Sequence, residues 1–551
     1  MLRTPTMLWD VIRGASLAQA TLEIDKNASG LHYHPAESFP LVKELIVPEA
    51  FLTRLAQVPA LIKGGKAQAI ILRGTLGSDR LQIMGAVARA LGQNVLTVDG
   101  SICLGQATGT DRQQAARSAS AEAIWKQIGP FCAMTRSLPV VTIDMGPGET
   151  TELPPLVGYK GPVGILMGQE GGLKGLAVEK AVTLTLPHLK MSHRMAYWQD
   201  ALANHPVEKL TQISQRFHLP GAYIRQAASM AIAHAALEAR EVIKMEDVRQ
   251  ATRALNRQML DILATRLQVE ANDALPAEGS WNRLVVSEVT VSKLHELERR
   301  CRYREKLLDH LAPAFGSGRN RGVRALFSGA SGTGKTLAAK ILSAQLGMDL
   351  YRVDLAAVVN KYIGETEKNL HQVLSRAEEL DVILLLDEGD ALLGSRTSVK
   401  SANDRYANLE TDYLLQRLEQ YQGIVVVTTN ASENIDSAFQ RRMDVMVHFI
   451  RPQAQERLQI WPLHLPADHL VDDTYLEEVA MRCPITGGQI RNAALHATLL
   501  ALDEGTPLNG WHLEQAIQSE YRKAGTICPL TANHRSPEER GMGAFFDALS
   551  Y

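Results

Sequence analysis

The sequence predicts an α/β protein of two tandem modules, each a parallel-sheet phosphate-loop core followed by a small helical lid domain. Three observations carry this expectation. Gly329, Ala330, Ser331, Gly332, Thr333, Gly334, Lys335 and Thr336 stand between the apolar run Ala325-Leu326-Phe327 and the helix-forming stretch Leu337 to Leu342. The segment Ile70 to Arg80, with Leu91-Gly92 and Val98-Asp99 after it, overlays Ala325 to Lys335, Leu346-Gly347 and Val353-Asp354. The offset is 255 throughout, as 329 minus 74, 346 minus 91 and 354 minus 99 show. Gly221 to Ala231 then recurs as Gly487 to Ala497 at an offset of 266, in the same order along the chain. A unit that repeats twice in one order reads as a duplication.

The boundaries that follow are 1–187 and 188–260 for the first core and lid, and 261–284 for a linker. The second core and lid take 285–455 and 456–521, and 522–551 is a tail. A chain of 551 residues exceeds what one hydrophobic core organises, which agrees with this division. In the first copy, Val140 to Ile143 and Gly164 to Met167 read as buried strands and the Ala-rich Gln226 to Ala239 as a lid helix. Glu270 to Ser280, carrying Pro276 and Gly279, reads as the connector. From Arg522 onward, Pro529, Pro537 and several glycines predict a loosely ordered tail.

Composition narrows the function classes. A hydrophobic fraction of 45% with 21% charged residues describes an ordinary soluble protein. The 58 basic and 60 acidic side chains give a net charge of -2, so no global field draws the chain to nucleic acid or anionic lipid. Cys103, Cys132, Cys301, Cys483 and Cys528 show no CxxC pairing or metal-ligand spacing, which points to reduced thiols and a cytoplasmic setting. No window approaches the ~18–20 apolar residues that span a bilayer, and Met1 to Ala20 lacks a signal-type apolar core, so no membrane partner is expected.

The chemistry is concentrated in the second copy. A Gly-rich turn between strand and helix surrounds a triphosphate with backbone N–H groups, placing Lys335 at the β and γ phosphates and Thr336 at Mg²⁺. ATP and Mg²⁺ are therefore the expected cofactors. Val382 to Leu386 is an apolar strand ending in Asp387 and Glu388, which places both carboxylates at the ligand-bearing edge of a parallel sheet. Asp387 holds Mg²⁺ through water in this reading, and Glu388 polarises the attacking water. The strand Ile424 to Thr429 ends at Asn430, suited to bridging γ-phosphate and water, and Arg441-Arg442 follow shortly before the next strand.

This order of motifs resembles the AAA+ ATPases, in particular the AAA clade whose second region of homology ends in arginine fingers. The resemblance covers Val285 to about Tyr521. It implies that Lys335, Thr336, Asp387, Glu388 and Asn430 act within one subunit while Arg441 and Arg442 reach the nucleotide of the next. Hydrolysis then requires a homo-oligomeric ring, expected to be a hexamer. It further implies a nucleotide-sensing arginine in the lid, for which Arg491 is the candidate although the usual position aligns nearer Gln489. Lys361, Tyr362, Ile363 and Gly364 stand where the clade places a substrate-gripping pore loop, and Asp404-Arg405 resemble its subunit-communication region.

The first copy has lost these groups. At the aligned positions Gly334-Lys335-Thr336 become Asp79-Arg80-Leu81, and Asp387-Glu388 become Asp144-Met145. The Asn430 site falls near Gly168-Gln169 and the finger pair near Val178-Glu179. The expectation is a degenerate module that stabilises the assembly or presents a binding surface.

The resemblance implies ATP-driven remodelling, unfolding or disassembly of a protein complex. The strings Lys361 to Leu370, Asn403 to Leu409 and Leu414 to Glu419 look most like the ATPases found with bacterial phage-tail-like contractile injection systems. Two other classes compete. A nucleic-acid motor on the same fold is disfavoured by the near-neutral charge and by Tyr362. An ATP-gated scaffold with slow turnover is disfavoured by the presence of Glu388, Asn430, Arg441 and Arg442 together.

Overall fold

The computed structural model describes residues 30–75, 77–100, 111–146, 148–261, 263–267, 280–310, 321–355, 365–390, 413–430, 435 and 437–530. The chain divides into two compact units, 1–256 and 257–551.

In the first unit the strands form where apolar side chains alternate between two helical layers. The elements run β1 (Leu31–His34), α1 (Glu49–Lys63), β2 (Ala69–Arg73), α2 (Arg80–Leu91), β3 (Asn94–Asp99), α3 (Asp111–Thr135), β4 (Ser137–Ile143), β5 (Thr150–Glu152), β6 (Val163–Met167), β7 (Gly172–Lys174) and β8 (Ala181–Thr185). The main sheet has the order β1-β3-β4-β6-β2-β8, parallel except for β1 at the edge. Ile70, Leu72 and Val140 pack with Leu55 of α1 and Met84 of α2. Ile71, Val141 and Ile165 face the other way onto Trp125 and Phe131 of α3. Burial on both faces is what a parallel sheet demands of its sequence. Strands β5 and β7 make a separate parallel pair. Four helices follow: α4 (Met191–Ala201), α5 (Leu210–Arg216), α6 (Gly221–Leu237) and α7 (Met245–Leu260). Ala227, Ala228 and Ala231 of α6 are fully buried, which accounts for the alanine-rich composition of that stretch. The helix begins at Gly221, five residues before the predicted Gln226, because Pro220 fixes the turn that precedes it.

The second unit repeats the plan. It runs β9 (Thr265–Leu267), α8 (Glu288–His310), β10 (Val323–Gly329), α9 (Lys335–Leu346), β11 (Leu350–Asp354), α10 (Glu365–Glu379), β12 (Ile383–Asp387), β13 (Ile424–Thr429) and β14 (Val445–Phe449). Its sheet has the order β14-β10-β13-β12-β11-β9, parallel except for β9 at the edge. Phe327, Leu385 and Val426 pack against Leu294, Leu297 and Cys301 of α8 and Ala338, Ala339 and Leu342 of α9. The lid comprises α11 (Ala454–Ile460), α12 (Asp473–Arg482), α13 (Gly487–Glu504) and α14 (Gly510–Lys523), built around Trp461, Val479, Ile490, Ala497 and Leu513.

Two details differ from the sequence expectation. Thr265–Leu267, inside the stretch read as a linker, is the antiparallel edge strand of the second sheet. Of the predicted connector, Glu270 to Ser280, residues 270–279 lie outside the described residues. Beyond Tyr521, α14 continues to Lys523, and Leu530 is buried in the lid core, so the lid extends to 530. Residues 531–551 lie outside the described residues.

Strand register also corrects the alignment of the two copies. Ile71, Ile165 and Val141 lie side by side in the first sheet, and Leu326, Val427 and Leu386 in the second. Since Leu326 is the counterpart of Ile71, the position of Asp387 is taken by Thr142. The pairing of Asp99 with Thr142 and of Asp354 with Asp387 agrees. Asp144 stands two residues further on. The alignment slipped by two residues because the connection before β4 is longer than that before β12, so the offset at the loop does not carry over to these strands.

Burial pushes the thiols of Cys132, Cys301 and Cys483 up to about 12. All three are buried, whereas Cys528 is partly accessible. At pH 8 a disulfide reagent is therefore expected to label no more than two of the five thiols in the folded chain, and all five after denaturation. Rapid labelling of three or more in the native protein contradicts the packing described.

Candidate active site

Strand β10 runs straight into the phosphate-loop turn, which ends at Gly334 with φ 102°, a left-handed conformation that glycine adopts without Cβ strain. Lys335 then opens α9. The first N–H groups of a helix have no intrahelical carbonyl to bond, so this end presents donors and a positive dipole end to the cavity. Lys335 is 9% exposed. Its ammonium donates to the carbonyls of Gly329 (2.5 Å) and Ala330 (3.0 Å) and to Asn430 Oδ1 (2.9 Å). All three of its protons have oxygen partners. Burial lowers its pKa, and the Asp390 and Asp387 carboxylates oppose that shift.

The C-terminal edges of β12 and β13 supply the acids and the amide. Asp387 accepts from the Thr428 hydroxyl and lies 3.9 Å from Arg352. Glu388 is exposed and holds φ at 57°, an unusual conformation for a glutamate that costs of order 1–3 kcal/mol where it is strained. The Gly389 N–H donates to the Thr428 carbonyl at 2.9 Å, pinning the turn that aims Glu388 out of the sheet.

Asp390, which the sequence reading passed over, organises the other side. It accepts from the Thr429 hydroxyl, from the Asn430 backbone N–H at 2.9 Å and from Asn430 Nδ2 at 3.3 Å. Asn430 is thereby fixed in one orientation, with Nδ2 on Asp390 and Oδ1 on Lys335. The signal was available as a third acid two residues after Glu388. Its role depends on Thr429 and Asn430, about forty positions away, which no local pattern reveals.

The lid closes the site. Thr486 caps α13 by accepting from the Gln489 N–H, and the Gly488 N–H donates to the Gly332 carbonyl at 2.8 Å. A Cβ on Gly488 would stand 2.9 Å from the Gly332 Cα, so only glycine allows this approach. Gly488→Ala is expected to push the lid off the loop at a cost of about 1–3 kcal/mol, read as weaker ATP binding by calorimetry. Unchanged affinity contradicts the lid contact. The cleft between loop and lid holds a cavity of about 490 Å³, lined by Ser331 to Lys335, Thr336, Asp387, Glu388, Asn430 and Arg491. Val285, Val286, Ile450 and Ile460 add an apolar wall. Beside Arg491, His464 has its pKa lowered by burial and by the arginine's charge.

Most predicted residues thus converge. Arg441 and Arg442 do not line this cavity. They follow the helical turn Ser437–Gln440, with Arg441 exposed and Arg442 paired to Glu419. Lys361, Tyr362, Ile363, Gly364, Asp404 and Arg405 lie outside the described residues.

A family model described as the ATPase family associated with various cellular activities (AAA) matches residues 325–451. The chain is 30% identical over 182 residues to an uncharacterized AAA family ATPase, y4kL, of Sinorhizobium fredii, covering 33% of this chain and 53% of the relative. It is 30% identical over 214 residues to the 26S proteasome subunit RPT4 of Saccharomyces cerevisiae, covering 37% and 49%. With the ATP-dependent zinc metalloprotease FtsH of Rhodothermus marinus the identity is 29% over 235 residues, covering 40% and 33%. These matches span about half the length of the relatives or less. Residues 325–451 thus match the AAA ATPase domain, and the parallel-sheet architecture is that of the fold class the sequence predicts.

Proposed function

We propose that the second unit hydrolyses ATP, and that the chain forms a ring, a hexamer, which uses this turnover to remodel, unfold or disassemble a protein complex. The observation that supports this reading is the convergence of Lys335, Asn430, Asp387 and Glu388 on one cavity under the lid. In this account the loop N–H groups and Lys335 bind the triphosphate, whose terminal oxygens take over the Lys335 proton now donated to Asn430 Oδ1. The released Asn430 carbonyl oxygen, still oriented through Nδ2 by Asp390, becomes free to accept from the attacking water. Glu388 takes a proton from that water as its oxygen bonds to the γ-phosphorus, and the bond to ADP breaks.

Thr336 and Asp387 supply a hydroxyl and a carboxylate to the same cavity, a hard-oxygen set that fits Mg²⁺ with waters completing its shell. Held by these two residues, Mg²⁺ would supply charge neutralisation to the phosphate oxygens. Arg491, on the lid, contributes positive charge from the opposite wall. Arg441 and Arg442 are assigned to the neighbouring subunit's nucleotide, since they stand apart from the cavity of their own chain. Arg442 must leave Glu419 to do so.

The protein substrate is assigned to the pore loop Lys361, Tyr362, Ile363 and Gly364, whose aromatic side chain grips polypeptide without sequence-specific contacts. The relatives that are a proteasome subunit and a metalloprotease by name fit a protein substrate. A phage-tail-like contractile injection apparatus is the substrate complex proposed on the sequence strings quoted above. The test uses casein as an unfolded polypeptide. Casein is expected to raise ATP turnover of the full chain, and Tyr362→Ala to keep basal turnover while losing the stimulation. A Tyr362→Ala variant that casein still stimulates fully rules out the pore-loop assignment.

A further inference from the structure

In both units the lid helix docks on the loop through the same backbone bond. The Ala222 N–H donates to the Gly77 carbonyl at 3.2 Å, as Gly488 does to Gly332 at 2.8 Å. These are counterparts at the two repeat offsets, because Ala222 and Gly488 differ by 266 and Gly77 and Gly332 by 255. Arg225 and Arg491 are likewise counterparts at 266. Their surroundings differ. Arg491 lines the 490 Å³ cavity, as does Gly334. Arg225 is paired with the carboxylate of Asp79, the residue that stands in the place of Gly334.

The pair is built into the first unit from several sides. Asp79 is 7% exposed. Tyr197, on α4, hydrogen-bonds to it, and the Arg225 guanidinium lies 5.5 Å above the Tyr197 ring. A Cβ on Gly221 would come within 2.6 Å of both Asp79 and Tyr197, so the helix start is shaped around the carboxylate. The Tyr223 ring packs directly on Gly77. Arg80, in the place of Lys335, is 5% exposed and lies 3.5 Å from Asp144. Two positive side chains that would face a phosphate are thus each met by an acid of the chain.

We propose that Asp79 is an internal substitute for a bound phosphate, latching Arg225 and Tyr197 of the lid onto the loop, so that the first unit stays closed and takes no nucleotide. A buried carboxylate held by a guanidinium and a phenol supplies permanently what a nucleotide supplies only while bound. The chain then carries one unit that responds to ATP and one that is fixed. This inference concerns the first unit alone and stands or falls apart from hydrolysis in the second.

The experiment uses the full chain carrying Lys335→Ala, which silences the second cavity. Radiolabelled ATP is expected not to bind this chain. Hydrogen exchange of amides 221–237 then reads the latch. Asp79→Ala and Arg225→Ala are each expected to speed exchange at least ~10-fold, and the double variant no more than either alone, as a coupled pair requires. Asp79→Gly vacates the anion position, so millimolar inorganic phosphate is expected to restore protection there, and to do nothing when Arg225→Ala is added. ATP binding with Asp79 intact, multiplying effects in the double variant, or indifference of Asp79→Gly to phosphate each overturns the proposal. Should the single variants fail to fold, the exchange of charges Asp79→Arg with Arg225→Asp decides. Folding with protection regained supports the latch, and failure to regain it refutes it.

Discussion

Glu388→Gln is expected to lower ATP turnover by about 10²–10⁴-fold while ATP binding persists. Glutamine keeps the size and polarity of the side chain but cannot take a proton from water. The residue is exposed, and glutamine tolerates the same backbone geometry, so the variant should fold as the wild type does. Its expected signature is therefore a split, with an ATP dissociation constant near the wild-type value and phosphate release close to background. Equal losses in binding and turnover point instead to a damaged cavity. Asp390→Asn provides the contrast. Removing the carboxylate that orients Asn430 should slow turnover less, because Glu388 still takes the proton from water, and its measurement by the same two assays separates positioning from proton transfer.

The second large effect belongs to the paired arginines. Arg442→Ala is expected to leave ATP binding intact and to reduce turnover by about 10³–10⁵-fold, the range for an arginine supplied to a phosphoryl-transfer transition state from a neighbour. Two features of the site support that assignment. The cavity is lined by Arg491 and Arg283 but by neither Arg441 nor Arg442, and Arg441 projects from the surface. A mixing experiment isolates the contribution in trans. Arg442→Ala subunits keep Lys335, and Lys335→Ala subunits keep Arg442. Inactive alone, they should recover part of the turnover when mixed, since some boundaries then join an intact cavity to an intact arginine. No recovery in a mixed ring contradicts action across the boundary.

How far the sequence reached follows from where each interaction sits along the chain. The phosphate loop and Asp387-Glu388 were legible because strand, turn and helix are contiguous and the ligand-binding groups cluster at their junctions. The plan of two parallel-sheet cores was legible through the duplication, since two copies of one pattern constrain each other. Contacts between distant residues stayed hidden. Asp390 acts through Asn430, forty positions on, and Asp79 through Arg225, 146 positions on. The left-handed residue of that turn is Glu388 rather than the adjacent Gly389, so no glycine marks the position. The position of Asp144 was misjudged for a different reason. Insertions between strands break the constant offset, and only the lateral register puts Thr142 beside Asp99 as Asp387 stands beside Asp354. That correction deepens the contrast between the units, because a threonine offers no carboxylate at the strand edge of the first sheet.

The most direct measurement is phosphate release from ATP by full-length chains altered at the two corresponding cations. Lys335→Ala should abolish it together with ATP binding. Arg80→Ala should leave turnover within a few-fold of wild type, since its partner Asp144 belongs to a cleft assigned no nucleotide. Turnover lost with Arg80→Ala and retained with Lys335→Ala would place the chemistry in the wrong unit and contradict the account.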